Sequence, residues 1–90
     1  MKRNEIEYRV YDVIMDTLDV LPEQVHVKAR WRDELGVDSL DVVELLIALE
    51  REFYIHVPDE DVESVVTIGD ACEYIERMLK QQKRKNYEKE

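Results

Sequence analysis

Apolar residues recur every three or four positions along most of this 90-residue chain, and no segment alternates as a half-buried strand would. The spacing predicts helices over 4–19, 39–53 and 68–78 or beyond. Pro58 followed by acidic residues predicts the start of a further, short helix. With only two glycines and two prolines, a strand-rich fold with many tight turns is disfavoured. We therefore predict an all-α fold, a four-helix bundle with a short third helix and a long first loop over 20–35.

Charge is distributed unevenly over what the length indicates is one domain. The chain carries a net charge of −9. Residues 80–90 hold five basic and two acidic side chains, or +3, so residues 1–79 carry −12. We expect residues 1–79 to form the domain and 80–90 to be a basic polar extension, either frayed helix or disordered. Such an acidic body repels nucleic acids and anionic membranes and attracts basic protein surfaces.

The single cysteine supplies neither an internal disulfide nor a zinc framework, which favours a reducing, cytoplasmic setting. No apolar run approaches the roughly 18 residues of a membrane span, and residues 1–5 do not resemble a signal peptide. Cys72 lies on the inward stripe of the last helix and is expected to be a small buried hydrophobe. Trp31 is the expected anchor of the long first loop.

A short polar segment precedes the second helix. Gly36 permits a turn that other residues resist, and Asp38 is a good N-cap with Asp41 as a weak capping-box partner. Because Asp38 takes the capping position, the hydroxyl of Ser39 is left to face solvent. For a serine considered by itself, an ordinary surface residue at a helix start is the simplest interpretation. A phosphate on Ser39 would nevertheless be favoured by the helix N-terminus, although the nearby carboxylates would oppose it.

The second helix carries more apolar residues than a core face needs. At 100° per residue, one arc is sufficient for the core and contains Val42, Leu45, Leu46, Leu49 and Phe53. A second arc, with Ser39 at its edge, contains Leu40, Val43 and Ile47. The carboxylates of Asp41, Glu44 and Glu50 surround it. Both arcs cannot be buried in a small bundle, so the second is a candidate contact surface.

Two chemical alternatives at this helix start are disfavoured. A serine hydrolase needs a histidine base and oxyanion donors, but Ser39 lacks the Gly-x-Ser-x-Gly elbow and a bundle this small offers little room for a triad. Residues 33–44 have the length of a calcium-binding EF-hand loop, but Leu35 and Val37 occupy ligand positions and Gly36 is displaced. We expect neither a catalytic residue nor a specific metal site.

The run Gly36-Val37-Asp38-Ser39-Leu40-Asp41, with Val43-Glu44-Leu45 and Ala48-Leu49-Glu50, resembles the phosphopantetheine attachment site of acyl carrier proteins. The similarity continues through Glu52-Phe53, Val57-Pro58-Asp59-Glu60 and Thr67-Ile68-Gly69-Asp70-Ala71 to Tyr74-Ile75, and so covers about residues 5–79. The resemblance implies a four-helix bundle without catalytic activity of its own. It also implies that a phosphopantetheinyl transferase attaches 4′-phosphopantetheine from coenzyme A to Ser39.

In this family the arm's thiol carries acyl groups as thioesters, and growing chains are held between the helices. The resemblance further implies that the second helix docks onto partner enzymes. Leu40, Val43 and Ile47 would make apolar contacts, while Asp38, Asp41, Glu44 and Glu50 would meet basic side chains. Glu63 would add a secondary docking charge.

The sequence thus predicts a monomeric acyl carrier protein serving the enzymes of a dissociated fatty acid synthase. A dedicated carrier of another pathway (polyketide, aryl-polyene, peptide or lipid modification) is the alternative within the same class. An unmodified acidic adaptor that binds basic partners is the alternative from a different class.

Overall fold

The computed structural model describes the backbone of residues 1–88 and the side chains of residues 1–82. This part of the chain contains four α-helices, and the predicted all-α bundle with a short third helix is confirmed. They are α1 (Arg3–Thr17), α2 (Ser39–Phe53), α3 (Asp59–Val62) and α4 (Ile68–Glu88). Within the described residues, none of the helices is long and apolar enough to cross a membrane.

The core lies where α1 packs against α2 and α4. Helices α1, α2 and α4 each turn an apolar stripe inward, as the 3.6-residue period predicts. The buried side chains include Ile6, Val10 and Ile14 of α1, Leu45, Leu49 and Phe53 of α2, and Ile68, Cys72 and Ile75 of α4. The predicted burial of Cys72 is confirmed.

The long connection between α1 and α2 is fastened to the start of α4. Trp31 is buried, which confirms it as the anchor of this loop. Its backbone N–H donates to the carbonyl of Val66, at 3.3 Å. In the other direction, the N–H groups of Ile68 and Gly69 donate to carbonyls of the loop, the latter to Val27 O at 2.7 Å. These hydrogen bonds fix the long loop against the start of α4, which helps so small a domain to accommodate it.

The C-terminal residues extend α4 beyond the core. The helix continues to Glu88. The sequence predicted a basic extension over 80–90, either frayed helix or disordered, and residues 89–90 lie outside the described part of the chain. Leu79 packs against the core. Three residues after Leu79, the Gln82 side-chain amide donates to the carbonyl of Tyr54 at 2.7 Å. The start of the extension is thereby held against the C-terminal end of α2, where Tyr54 adopts a left-handed conformation.

Candidate functional site

The start of α2 is built by the predicted capping interactions. Gly36 has a positive φ of 64°, and Val37 turns into the core directly after it. The Asp38 carboxylate accepts from the N–H of Asp41 at 2.9 Å, and the Asp41 carboxylate accepts from the N–H of Asp38 at 3.4 Å. The capping box is confirmed, and it sets the direction in which α2 leaves the loop.

Ser39 is the first residue of α2 and is exposed to solvent. Its hydroxyl takes part in none of the side-chain hydrogen bonds found among the described residues. Asp38 already serves as the cap, so the Ser39 oxygen is available for chemistry. Helix N-termini favour negative groups because their first N–H groups have no partner within the helix.

The second apolar arc of α2 is exposed, as predicted. The side chains of Leu40, Val43 and Ile47 are 67%, 52% and 44% exposed, although they are large and apolar. They lie one helical turn apart and point away from the core arc, which is turned toward α1. Of the two apolar arcs of α2, one is covered by the core and the other is an exposed apolar surface next to Ser39.

The carboxylates predicted around this arc fall into different environments. Asp38 and Glu44 are exposed and Asp41 is half-buried, all three within the first two turns of α2 or at its N-cap. Glu50 is turned toward the connection after α2. Its Oε2 accepts from the N–H of Val57 at 2.7 Å and lies 3.1 Å from Nδ1 of His56. Glu50 therefore stabilises the backbone that leads to α3.

Glu63 is exposed at the C-terminal end of α3 and does not lie on α2. It belongs instead to the rim of a cavity of about 430 Å³ between α2, α3 and the loop around Trp31. The sequence-predicted residues thus fall in three places. The first part of α2 and its N-cap hold most of them, Glu50 faces the connection after α2, and Glu63 lines the cavity.

The cavity has apolar walls and a charged rim. Its lining side chains include Trp31, Val42, Leu45, Leu46, Leu49, Val62, Val65 and Ala71, with Arg30, Arg32, Asp33 and Glu63 as the charged members. Val42 and Leu46 follow Ser39 by three and seven residues, so one wall of the cavity lies on the same face of α2 as Ser39. This volume is in the range of small-molecule sites and suits an apolar ligand.

Sequence reasoning assigned no function to Arg30 and Arg32. One signal was present, since these two arginines flank an apolar anchor, Trp31, in an otherwise acidic body. Helical periodicity assigned these arginines to no face, because the segment is a loop.

The wall formed by α3 is fastened to α4 by a side-chain hydrogen bond. Tyr74 donates its hydroxyl to Oδ2 of Asp61 at 2.7 Å. Burial, together with this bond, raises the pKa of Tyr74 to about 12. Burial also raises the pKa of the Cys72 thiol to about 11, so this sulfur stays protonated at neutral pH and is a poor nucleophile.

In the part of the chain that the structure describes, no group of three or more His, Cys, Asp or Glu side chains is arranged to hold an ion.

Comparisons with known proteins agree on one family. A family model described as "Phosphopantetheine attachment site" matches residues 9–75. An acyl carrier protein of Porphyromonas gingivalis is 42% identical over 77 residues, which covers 86% of this chain and 99% of the relative. Those of Wolinella succinogenes and Chlorobium phaeovibrioides are 46% identical over 67 residues and 43% identical over 75. These matches cover 74% and 83% of this chain, and 88% and 96% of the respective relatives.

Proposed function

Because this chain belongs to the acyl carrier protein family, a family of phosphopantetheine carriers, we propose that Ser39 is the residue to which 4′-phosphopantetheine is attached. The observation that carries the proposal is the exposed, uncommitted hydroxyl of Ser39 at the first position of α2. The chain's other serine, Ser64, donates its hydroxyl to the carbonyl of Asp61 at 2.7 Å and so has a structural role.

The residues around Ser39 suit a phosphodiester. Asp38 occupies the capping position, so that Ser39 needs no internal partner. The N-terminal N–H groups of α2 favour a negative group, which offsets part of the repulsion from Asp38 and Asp41. When bound, the prosthetic group supplies a thiol that holds an acyl chain as a thioester. The polypeptide itself acts as a carrier, and its task is to present that thioester to other enzymes.

The exposed arc of α2, formed by Leu40, Val43 and Ile47, is the proposed docking surface for those enzymes. Apolar side chains at its centre would be desolvated on binding, and Asp38, Asp41 and Glu44 at its edge would pair with lysines and arginines of the partner. Glu63 adds a further carboxylate beyond the end of α2. A phosphopantetheinyl transferase and the enzymes of acyl-chain synthesis are the proposed partners, and a charge of −12 over residues 1–79 would speed their encounter.

The cavity beside α2 is the proposed position of the acyl chain. Leu46 of α2 and Val62 of α3 both line it. Each CH₂ removed from water contributes about 0.8 kcal/mol, so a medium-length chain would stabilise the folded state considerably.

We place this carrier in fatty acid synthesis, working as a monomer in the cytoplasm. The curated relatives carry the name acyl carrier protein, and the acidic run around Ser39 favours fatty acid synthesis over peptide carriers. A dedicated carrier of another pathway would share the attachment residue and the bundle, and would differ in the partners that recognise α2.

The test is covalent modification. The protein is incubated with coenzyme A and a phosphopantetheinyl transferase, and its intact mass is measured. Wild type and Ser64→Ala should each gain one phosphopantetheinyl group, whereas Ser39→Ala should gain none. A wild-type protein that folds but gains no mass would overturn the proposal and leave the unmodified adaptor. A mass gain by Ser39→Ala would show that the group is attached to another residue.

A further inference from the structure

The charged rim of the cavity contains one arginine whose positive charge is not matched locally. Arg30 Nη1 lies 3.6 Å from Oδ2 of Asp33, so these two rim charges pair with each other. Arg32 also lines the cavity and is exposed, but it forms no ion pair with the residues described by the structure. Glu63 lines the same cavity from α3, and its carboxylate is not within ion-pair distance of Arg32.

A backbone hydrogen bond turns the loop that carries Arg32 back toward the start of α2. The N–H of Val37 donates to the carbonyl of Trp31 at 3.0 Å, which folds the chain back immediately before α2. From that hydrogen bond and standard backbone dimensions, the Cα atoms of Arg32 and Ser39 are no more than about 15 Å apart. Arg32 is therefore a cation within about 15 Å of Ser39 that also lines the cavity.

Acidic side chains predominate in the domain that carries Arg32. The body around it is strongly acidic, and Asp38 and Asp41 flank the attachment residue. Any negative group carried on Ser39 would add to this charge. A guanidinium group offers planar, paired N–H donors that match the oxygen atoms of phosphates and carboxylates.

Resting on the proposed attachment at Ser39, we propose that Arg32 is an oxyanion-binding residue that recognises a negative group brought to the cavity mouth by the prosthetic group or its cargo. Two sources share this chemistry. One is the phosphodiester of the prosthetic group itself. The other is a free carboxylate on the acyl chain, which would make Arg32 a residue that selects dicarboxylic over simple acyl chains.

The experiment compares four states of the protein: unmodified, phosphopantetheinylated, octanoylated, and loaded with the eight-carbon dicarboxylic monothioester. The melting temperature Tm is measured for wild type, Arg32→Gln and Arg51→Gln. Arg51 is an exposed arginine of α2 outside the cavity, so its replacement removes the same charge elsewhere. NMR shifts of the Arg32 side-chain Nε–H group follow the same four states.

If the phosphodiester is the ligand, Arg32→Gln should lose about 2–5 °C of the Tm gain on phosphopantetheinylation, with no further loss for either acyl chain. If the carboxylate is the ligand, the loss should occur only in the dicarboxylic state, and octanoylation should be unaffected. In either case the Arg32 Nε–H resonance of wild type should shift at the same step, and Arg51→Gln should behave as wild type.

Equal Tm gains for Arg32→Gln and wild type at every step would overturn the inference. So would equal losses for Arg32→Gln and Arg51→Gln, because they would reflect net charge alone. Mass spectrometry of the wild type separates this failure from that of the proposed function. A wild type that gains no phosphopantetheinyl group would refute both proposals, whereas a loaded wild type without any effect of Arg32 would refute only this one.

Discussion

The hydroxyl of Tyr74 on α4 donates a 2.7 Å hydrogen bond to the Asp61 carboxylate on α3. Helix α3 has four residues, no side-chain N-cap and no fully buried side chain. So short a helix is not stable alone, and its position depends on contacts with the rest of the bundle. Because Val62 of the same helix lines the cavity, the bond also holds one cavity wall in place.

Replacing Tyr74 with phenylalanine should loosen that wall. The change keeps the ring and removes the hydroxyl, so the free energy of unfolding should fall by about 1–2 kcal/mol. Amide hydrogen exchange should speed up in α3 more than in α1. Tyr8→Phe is the matched control, because Tyr8 is exposed on α1. Unchanged exchange in α3 would mean that the hydrogen bond does not hold it.

Stability should decline in alkaline solution over a window set by two buried groups. Cys72 has its pKa raised from 9.0 to about 11, and Tyr74 from 10.0 to about 12. In both cases the unfolded chain loses its proton first. Their stabilising contributions are therefore complete below pH 9 and 10, and are lost as pH rises toward 11 and 12. Each group lowers the free energy of unfolding by at most about 1.4 kcal/mol per pH unit within its own window.

Denaturation by urea between pH 8 and 12 measures this decline. Cys72→Ala should have a lower stability throughout, because it leaves a small cavity, but a flatter slope between pH 9 and 11. A mutant slope equal to that of wild type would show that the thiol titrates normally.

Alanine at Gly69 should destabilise the protein, although alanine normally favours a helix. A Cβ at this position would lie 2.8 Å from the carbonyl oxygen of Val27, which also accepts the Gly69 N–H bond. Either the loop or α4 must shift, at a cost of about 1–3 kcal/mol. At Gly36, where φ is +64° and a Cβ would contact nothing, the cost should be about 1–2 kcal/mol from backbone strain alone.

Urea denaturation of Gly69→Ala and Gly36→Ala measures the two changes in the free energy of unfolding. The Gly69→Ala chain should also lose exchange protection at the amide of residue 69. A gain in stability would show instead that the loop yields easily and that helix propensity prevails, by up to about 1 kcal/mol.

Glu44 and Glu50 should behave differently although both are carboxylates of α2. Glu50 accepts a hydrogen bond from Val57 N–H, so Glu50→Ala should cost about 1–3 kcal/mol of folding free energy. Glu44 is exposed, and Glu44→Lys should leave stability within about 0.5 kcal/mol.

For partner binding, the change at Glu44 should have the larger effect. Glu44→Lys should weaken binding to a ketoacyl synthase at low salt and flatten its salt dependence, because it reverses a charge in the proposed docking surface. Affinity is measured by titration at two salt concentrations. Affinity equal to wild type at low salt would contradict docking through this end of α2.

The features read correctly from the sequence are local ones. The capping box of Asp38 and Asp41, the exposed stripe of Leu40, Val43 and Ile47, and the burial of Cys72 each follow from residues within a few positions of one another. Helical period and capping chemistry act over one or two turns, so the amino-acid order alone contains them.

The features that the sequence did not reveal are contacts between residues far apart in the chain. The contact of Tyr74 with Asp61, and the meeting of Arg32 with Val62 at one cavity, depend on how α3 and the first loop pack against the other helices. Glu50 illustrates the same limit: its position on α2 was predicted, but its side chain is held by Val57. A residue's place on a helix follows from its register, whereas its partners follow from the packing of several elements at once. For that reason the chain's order was sufficient to locate Ser39, and the bundle was needed to find the cavity beside it.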